Sequence, residues 1–193
     1  KSTYLVLASG TKSKPLPNII SPEAREHVFT EVWPLAGTKK KQIVIVGAGD
    51  AAFDYALNLS KNRNFVTILN RGESVKCLRL LVERAAQESL ITYRTVVAVR
   101  AVTLDEAASR LRVRCEARGG EESIEADYVL FAIGRDPNLD FLSDEVRRRE
   151  RELVESGRLY FVGDVKNELY RQAVIAAGDG LRAAMQIYSR MMK

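Results

Sequence analysis

The sequence is poor in the side chains that carry nucleophilic, metal or redox chemistry. Its 193 residues include two cysteines and one histidine. Cys77 and Cys115 lie far apart, in no Cys-x-x-Cys pair and at no metal-ligand spacing. His27 has no cysteine beside it, so no metal site is expected and the ring reads as a packed or exposed side chain. No residue is assigned as a catalytic acid, base or nucleophile. Two unpaired thiols suit a reducing compartment and point to the cytoplasm. No apolar run approaches the ~18 residues that span a bilayer, so no membrane role is expected. The opening K-S-T-Y-L-V-L-A-S-G has too short an apolar part for a secretory signal. The chain starts at Lys1 without a methionine, so a fragment or a processed product is expected. Excess charge is slight: 30 Lys and Arg against 25 Asp and Glu, a net +5. The basic cluster Lys39–Lys41 reads as a solvated linker. Arg147–Arg149 reads as a solvated helix that also bears Glu145, Glu150 and Glu152. Neither reads as a nucleic-acid footprint.

What is present is a globular composition, 46% hydrophobic and 28% charged, organised around Gln42 to Arg71. Ile43 to Val46 are four apolar β-formers between polar neighbours, the signature of a buried parallel strand. Gly47, Ala48 and Gly49 follow, with Asp50 as the expected N-cap. Phe53, Ala56, Leu57 and Leu59 then recur at helical spacing, and Phe65 to Leu69 form a second strand. The turn reads G-x-G-x-x-A. Its first glycine permits the tight turn, its second lets a pyrophosphate approach the backbone, and Ala52 lets helix and strand pack closely. Phosphates would face the amides at the helix N-terminus. Gly47, Ala48, Gly49, Asp50 and Ala51 are therefore candidate dinucleotide-binding residues. The alternative is a strand-to-helix turn that needs glycine only for its geometry.

The remaining patterns place this unit in an α/β chain. Tyr4 to Ala8 is a predicted strand, residues 11–20 a loop, Pro22 to His27 a short helix capped by Ser21, and Val28 to Trp33 an extended piece. Val75 to Gln87 is an amphipathic helix and Ile91 to Val102 is strand-rich. Arg110 to Ala117 alternates, Arg118 to Gly120 turns, and Ser123 to Ala132 returns. Gly134 to Asn138 is a turn, Asp144 to Glu155 a helix, Leu159 to Val162 a buried strand, and Tyr170 to Met191 the closing helix. The expected fold is a Rossmann-like NAD(P)-binding domain at 38–137, with a parallel core covered by a β-meander from Ile91 to Ala132. Segments 1–37 and 138–193 are expected to pack together as a second α/β unit.

Four motifs together resemble one family. V-G-A-G-D-A-A (46–52) is similar to the NAD(P)-binding turn of thioredoxin reductases and their relatives. Y-V-L-F-A-I-G-R-D-P-N (128–138) resembles the signature that closes their nucleotide domain, and its Ile133 and Gly134 are assigned to the cofactor site. L-Y-F-V-G-D-V (159–165) with Y-R-Q-A-V-I-A-A-G-D-G (170–180) resembles their second flavin motif. L-V-L-A-S-G (5–10) resembles the A-T-G motif at the hand-over between domains. The resemblance implies an oxidoreductase that passes a hydride from NAD(P)H to FAD, with the second α/β unit as the remnant of an FAD-type domain. It implies that Gly163 and Asp164 contact the flavin's ribityl–phosphate region, with Arg171, Gln172 and Ala173 along its ring. Asp164 could instead cap the final helix.

Three departures shape the expectations. The family's first G-x-G-x-x-G unit, which holds the FAD adenosine, has no counterpart here, so this chain alone is not expected to retain FAD. A homodimer or a missing N-terminal FAD segment is expected to cover Leu5, Leu7, Leu159, Phe161 and the last helix. The redox Cys-x-x-Cys falls at Thr30 and Trp33, so no dithiol reductase activity is expected and the electron acceptor is unidentified. The basic H-R-R-x-x-x-R after the second strand is thinned to Asn70, Arg71, Gly72 and Lys76. Asn70, Arg71 and Lys76 are the cofactor-choosing candidates, and a mild preference for NADPH over NADH is expected because Asn70 stands where an NAD site places a carboxylate, with Glu73 and Gly72 counting against it. The other reading from the sequence is a non-catalytic NAD(P)-binding or interaction module that keeps the flavin motifs as scaffold.

Overall fold

Alternation along one strand decides the architecture. Ile43 and Ile45 point to one side of their sheet and Val44 to the other, and all three are buried. A strand buried on both faces needs a layer above and a layer below. The computed structural model describes residues 2–105 and 107–192. In chain order the first elements are β1 (Leu5–Leu7), β2 (Thr11–Ser13), a 3-10 turn at Pro22–His27, β3 (Val28–Phe29) and a second 3-10 turn at Trp33–Leu35. Then come β4 (Gln42–Val46), α1 (Asp50–Ser60), β5 (Phe65–Asn70), α2 (Arg79–Gln87), β6 (Ile91–Thr95), β7 (Ala98–Asp105), β8 (Arg110–Ala117) and β9 (Gly120–Ala126). The last are β10 (Tyr128–Phe131), β11 (Arg135–Pro137), α3 (Asp144–Arg148), α4 (Glu150–Glu155), β12 (Leu159–Phe161), a 3-10 turn at Gly163–Val165, and α5 (Ala173–Met191).

The chain divides into two compact units: Ser13–Gly134, and the described residues of Lys1–Lys12 with Arg135–Lys193. In the first, a five-stranded parallel sheet runs in the order β3-β10-β4-β5-β6. One face carries Ile43, Ile45, Val66, Ile68 and Leu130 against α1 (Ala52, Phe53, Ala56, Leu59), Ala85 of α2, and Leu35. The other carries Val44, Leu69, Val129 and Phe131 against the antiparallel meander β7-β8-β9. The α/β fold, with a parallel sheet and a meander, is the one the patterns predict.

Boundaries move for identifiable reasons. The meander is β7 to β9 alone: β6 pairs in parallel with β5, and β10 lies between β3 and β4. Residues 13–37, expected with the flavin-type remnant, lie in the larger unit, where Val28 and Phe29 pair with Val129 and Leu130 and Ala24 is fully buried. The cap of α1 is Gly49, and Asp50 is the first helical residue. The helix expected from Val75 begins at Arg79, because Lys76 is bridged to Gly49 and the Leu78 amide donates to Asp50. Residues 11–13, predicted as loop, and 135–137, predicted as turn, pair as β2 and β11. The Ser21 hydroxyl makes no cap bond, and Pro22–His27 is a 3-10 turn. The predicted helix over 144–155 breaks at Arg149 (φ −102°, ψ 7°), and the closing helix begins three residues later than predicted.

In the smaller unit β1 and β12 pair in parallel. Leu7 and Leu159, expected to lie open, are buried against Leu142. Leu5, Val6 and the outer side chains of α5, Val174, Leu181, Met185 and Tyr188, are exposed. The 3-10 turn after β12 is held from inside α5. Asp179, 9% exposed, accepts from the Gly163 amide (3.2 Å) and Asn167 Nδ2 (2.7 Å) and pairs with Lys166 Nζ (3.0 Å). These donors, Asn167 first and Lys166 next, hold the Asp179 carboxyl below its ordinary value. A lowered folded-state pKa contributes stability above the unfolded carboxylate pKa of about 4, and that stability is lost as pH falls through the folded value. Asp179→Asn should therefore be less stable than wild type at neutral pH, and the two unfolding curves should converge as acid is added. Acid titration followed by far-ultraviolet circular dichroism checks this. A constant offset between wild type and variant at every pH would remove Asp179 ionisation from the account.

Candidate functional site

The sheet order creates a switch point. From β4 the chain winds outward through α1, β5, α2 and β6, then returns through the meander to β10 on the opposite side of β4. Crevices for ligands form outside the carboxyl ends of strands where the winding reverses. Here that place lies between the ends of β4 and β10. Gly47 (φ +123°) follows β4, and a Cβ there would run into the Ala132 carbonyl just beyond β10. Ala132 N donates to Val46 O (2.9 Å), and Ile133 and Gly134 (φ +109°) continue from it, both exposed. Gly49 differs. Its φ is an ordinary −93°, and the nearest atom to a Cβ built there is the Lys76 carbonyl at 3.8 Å. Nothing among the described residues requires glycine at 49. What the missing side chain leaves is open backbone at the N-terminus of α1, where the first helical amides have no intrahelical acceptor.

Asp50 would oppose an anion at that terminus if its carboxylate faced it. Instead Oδ1 accepts from the Leu78 amide at 2.7 Å, which holds the carboxylate towards the incoming segment of α2. Ala51 is exposed on the same turn, and Ala52 is fully buried at the helix–sheet contact. The third strand end beside the turn is that of β5, and here the residues divide their roles. Asn70 is 8% exposed, and its side chain serves the loop itself. Nδ2 donates to Ser74 O (3.0 Å) and Tyr93 Oη (2.9 Å), while Oδ1 accepts from the Gly72 amide (3.0 Å). Arg71 and Lys76 are exposed, and neither has a carboxylate partner among the described residues. Three neighbouring strand ends thus gather Gly47, Ala48, Gly49, Asp50, Ala51, Asn70, Arg71, Lys76, Ile133 and Gly134.

The other candidates lie in the smaller unit. Gly163 (φ +74°) brings the turn within 3.2 Å, from a built Cβ, of the Ala176 methyl. The Asp164 carboxylate has no hydrogen-bond partner among the described residues, and Gln172, not Asp164, stands at the N-cap of α5. Arg171 donates to Arg135 O (3.4 Å), and its buried Nε has no partner among the described residues, while Gln172 and Ala173 are exposed where α5 begins. An unengaged carboxylate, a half-engaged guanidinium and a close glycine suit a ligand that bears hydroxyls and phosphate.

The two thiols are free and lie on opposite faces of the parallel sheet. Burial, then the Asp50 carboxylate, pushes the Cys77 thiol up to about 12. Burial and then Glu122 push Cys115 to about 11. Cys115 is buried between sheet and meander, whereas Cys77 packs on the helix side of the sheet. Trp33, at one of the positions where the cysteine pair would fall, is 75% exposed. His27 stacks on Tyr128 at 6.0 Å. Among the described residues no group of His, Cys, Asp and Glu could hold a metal, and no helix is long and apolar enough to cross a membrane.

Sequence reasoning missed Asp179, Tyr93 and the ion pair between Glu73 and Arg118. Asp179 had a signal: it falls between Ala176 and Ala183 on the small-residue stripe of α5, where a carboxylate must find buried donors. The other two had none, because they depend on strands that are distant in sequence.

Comparison with known proteins agrees with this layout. The model of the pyridine nucleotide-disulphide oxidoreductase family matches residues 1–190. Thioredoxin reductase of Mycolicibacterium smegmatis is 28% identical over 156 residues, covering 76% of this chain and 50% of that protein. The bifunctional thioredoxin reductase/thioredoxin of Mycobacterium leprae is 31% identical over 157 residues, covering 75% and 34%. The chain spans about half the length of the first of these relatives. The solved thioredoxin reductase of T. acidophilum superposes with a TM-score of 0.80 at 22% identity, covering 98% of this chain and 66% of that one; at that identity it attests the fold alone. With the switch-point turn, the turn at Gly163 and the family match all on the same chain, the protein belongs to the pyridine nucleotide-disulphide oxidoreductase family.

Proposed function

We propose that this chain is part of a thioredoxin-reductase-like flavoprotein that takes a hydride from NAD(P)H, NADPH before NADH, and delivers electrons through FAD to an unidentified acceptor. Ser13–Gly134 is the proposed nucleotide unit, and the residues before and after it are the proposed flavin-type unit. The observation that carries the reading is Gly49: the fold has room for a side chain there, so the glycine is explained by a ligand lying against the backbone. Gly47 and the amides of Asp50 and Ala51 would seat the pyrophosphate. Arg71 would meet a 2′-phosphate with its fork and Lys76 as a point charge. Asp164 would accept from ribityl hydroxyls, and Arg171 with Gln172 and Ala173 would line the ring. The flavin, when bound, supplies the hydride-accepting chemistry, and these residues supply position. A flavin reduces a disulfide, not a thiol, and Cys77 and Cys115 pack on opposite faces of the parallel sheet, so they form no pair through which the acceptor would be reduced. A cytoplasmic homodimer that binds neither nucleic acid nor membrane completes the proposal.

Two glycines test the cradle. Gly47→Ala should cost about 2 kcal/mol or more in urea unfolding, because it combines a positive φ with a backbone collision. Gly49→Ala should cost less than about 1 kcal/mol yet weaken NADPH binding at least tenfold, by roughly 1.4 kcal/mol. Fluorescence titration of both variants decides the matter: unaltered NADPH affinity in Gly49→Ala would leave the glycine as mere turn geometry.

Arg71→Ala should lower NADPH affinity several-fold and leave NADH nearly unchanged, the loss expected for one charge-assisted contact of about 1 kcal/mol. Tighter NADH than NADPH binding by wild type would end the proposed preference.

The 193-residue chain should keep less than one equivalent of FAD after soaking. β1 and β12 have one ladder partner each among the described residues, and Leu181, Met185 and Tyr188 lie open along α5 beside a groove of about 1310 Å³. Exposed apolar surface of that kind invites association, so light scattering should report a mass above the monomer. A monomer retaining stoichiometric FAD would contradict both expectations.

A further inference from the structure

The loop after β5 contains one carboxylate, Glu73, between the two cations proposed to meet the cofactor. A carboxylate at this end of a second strand is what a site built for unphosphorylated ribose uses to accept from its hydroxyls. Glu73 is not available for that. Its side chain is paired with the guanidinium of Arg118, which stands on the turn between β8 and β9. The loop is also fixed from two other directions. From within, Asn70 spans it through the Gly72 amide and the Ser74 carbonyl. From the meander side, the Val96 amide donates to Gly72 O (3.2 Å) and the Val97 amide to Asn70 O (2.9 Å). Val96 makes its bond from φ +57°, a costly conformation for a β-branched residue that persists only where surroundings dictate it. The loop therefore has a set shape, with Arg71 and Lys76 lacking a carboxylate partner among the described residues and Glu73 paired with Arg118.

We propose that Arg118 sets the choice between phosphorylated and unphosphorylated nicotinamide dinucleotides by holding Glu73 away from the cofactor's ribose. Arg118 is a positioning residue, acting on the cofactor through Glu73. Without it, a free carboxylate beside Arg71 and Lys76 cancels part of their attraction for a 2′-phosphate and gains the option of accepting from 2′ and 3′ hydroxyls. Both changes favour NADH over NADPH. The inference rests on the dinucleotide reading of the same site.

The test is a fluorescence titration of the chain with NADPH and with NADH at low ionic strength. Arg118→Ala should lower the ratio of NADPH to NADH affinity roughly three- to fivefold, the scale of an exposed ion pair, and the difference should shrink as salt is added. Arg118→Lys should keep most of the wild-type ratio. Adding Glu73→Gln to Arg118→Ala should restore it, since the carboxylate is then gone. A merely structural role for Arg118 would weaken both cofactors alike. Wild type that binds neither cofactor would remove the dinucleotide reading and this inference with it. Wild type that binds both, with the ratio unchanged in Arg118→Ala, would overturn the role of Arg118 alone. A shifted ratio that Glu73→Gln fails to restore would overturn the route through Glu73.

Discussion

One close approach governs the larger unit. The backbone of Gly47 passes so near the Ala132 carbonyl that a side chain has nowhere to go. The two residues end neighbouring parallel strands, β4 and β10, whose pairing runs from Tyr128 with Ile43 to Phe131 with Val46. The winding of the sheet reverses between these strands, and in open α/β sheets that is the place outside the strand ends where ligands bind. Because Gly47 lets the chain turn at once, α1 starts directly beyond the end of β4, with Gly49 as its cap. Fold and candidate site thus share a single cause.

The strongly periodic parts of the architecture were legible in the sequence. Ile43 to Val46 with Gly47 and Gly49 specified strand, turn and helix, and Arg110 to Ala117 specified a strand with one buried face. What was not legible depended on partners far along the chain. Whether Ile91 to Thr95 belongs to meander or parallel sheet is decided by β5, and nothing in its own apolar pattern says so. The start of α2 is decided by Asp50, which takes the Leu78 amide that a longer helix would have used. The site behaved the same way. Gly49, Arg71 and Lys76 could be named from their order, whereas the commitment of Asn70 to Ser74, Gly72 and Tyr93 could not.

The smaller unit shows how a buried charge is made tolerable. Asp179 sits on a helix face otherwise made of Ala176 and Ala183, where an unpaired carboxylate would be costly. It is met by an amide, an amide side chain and an ammonium, all from the turn that follows β12. The same contacts that satisfy the carboxylate hold Gly163 at φ +74°. They also leave the next residue, Asp164, as the acidic group of the turn with no partner among the described residues. The turn therefore has one carboxylate spent on structure and one in reserve, and its geometry is set by the first.

This separation of structural from available polar groups recurs at the strand ends of the larger unit. Asn70, Asp50 and Glu73 are engaged by the protein, while Arg71, Lys76 and the first amides of α1 are not. The engaged carboxylates, Asp50 and Glu73, are acceptors, and Asn70 both donates and accepts within its own loop; among the described residues, what is left without a carboxylate partner is positive or hydrogen-bond donating. On the proposed reading, the carboxylates that would oppose an anion are already bonded elsewhere before any ligand arrives. Such preorganisation needs no reactive side chain. It agrees with a chain whose two thiols are held protonated and whose histidine is stacked on Tyr128. The proposed cofactor chemistry would ask of the protein a fixed shape and a fixed charge pattern, and the hydrogen bonds of these turns fix the shape.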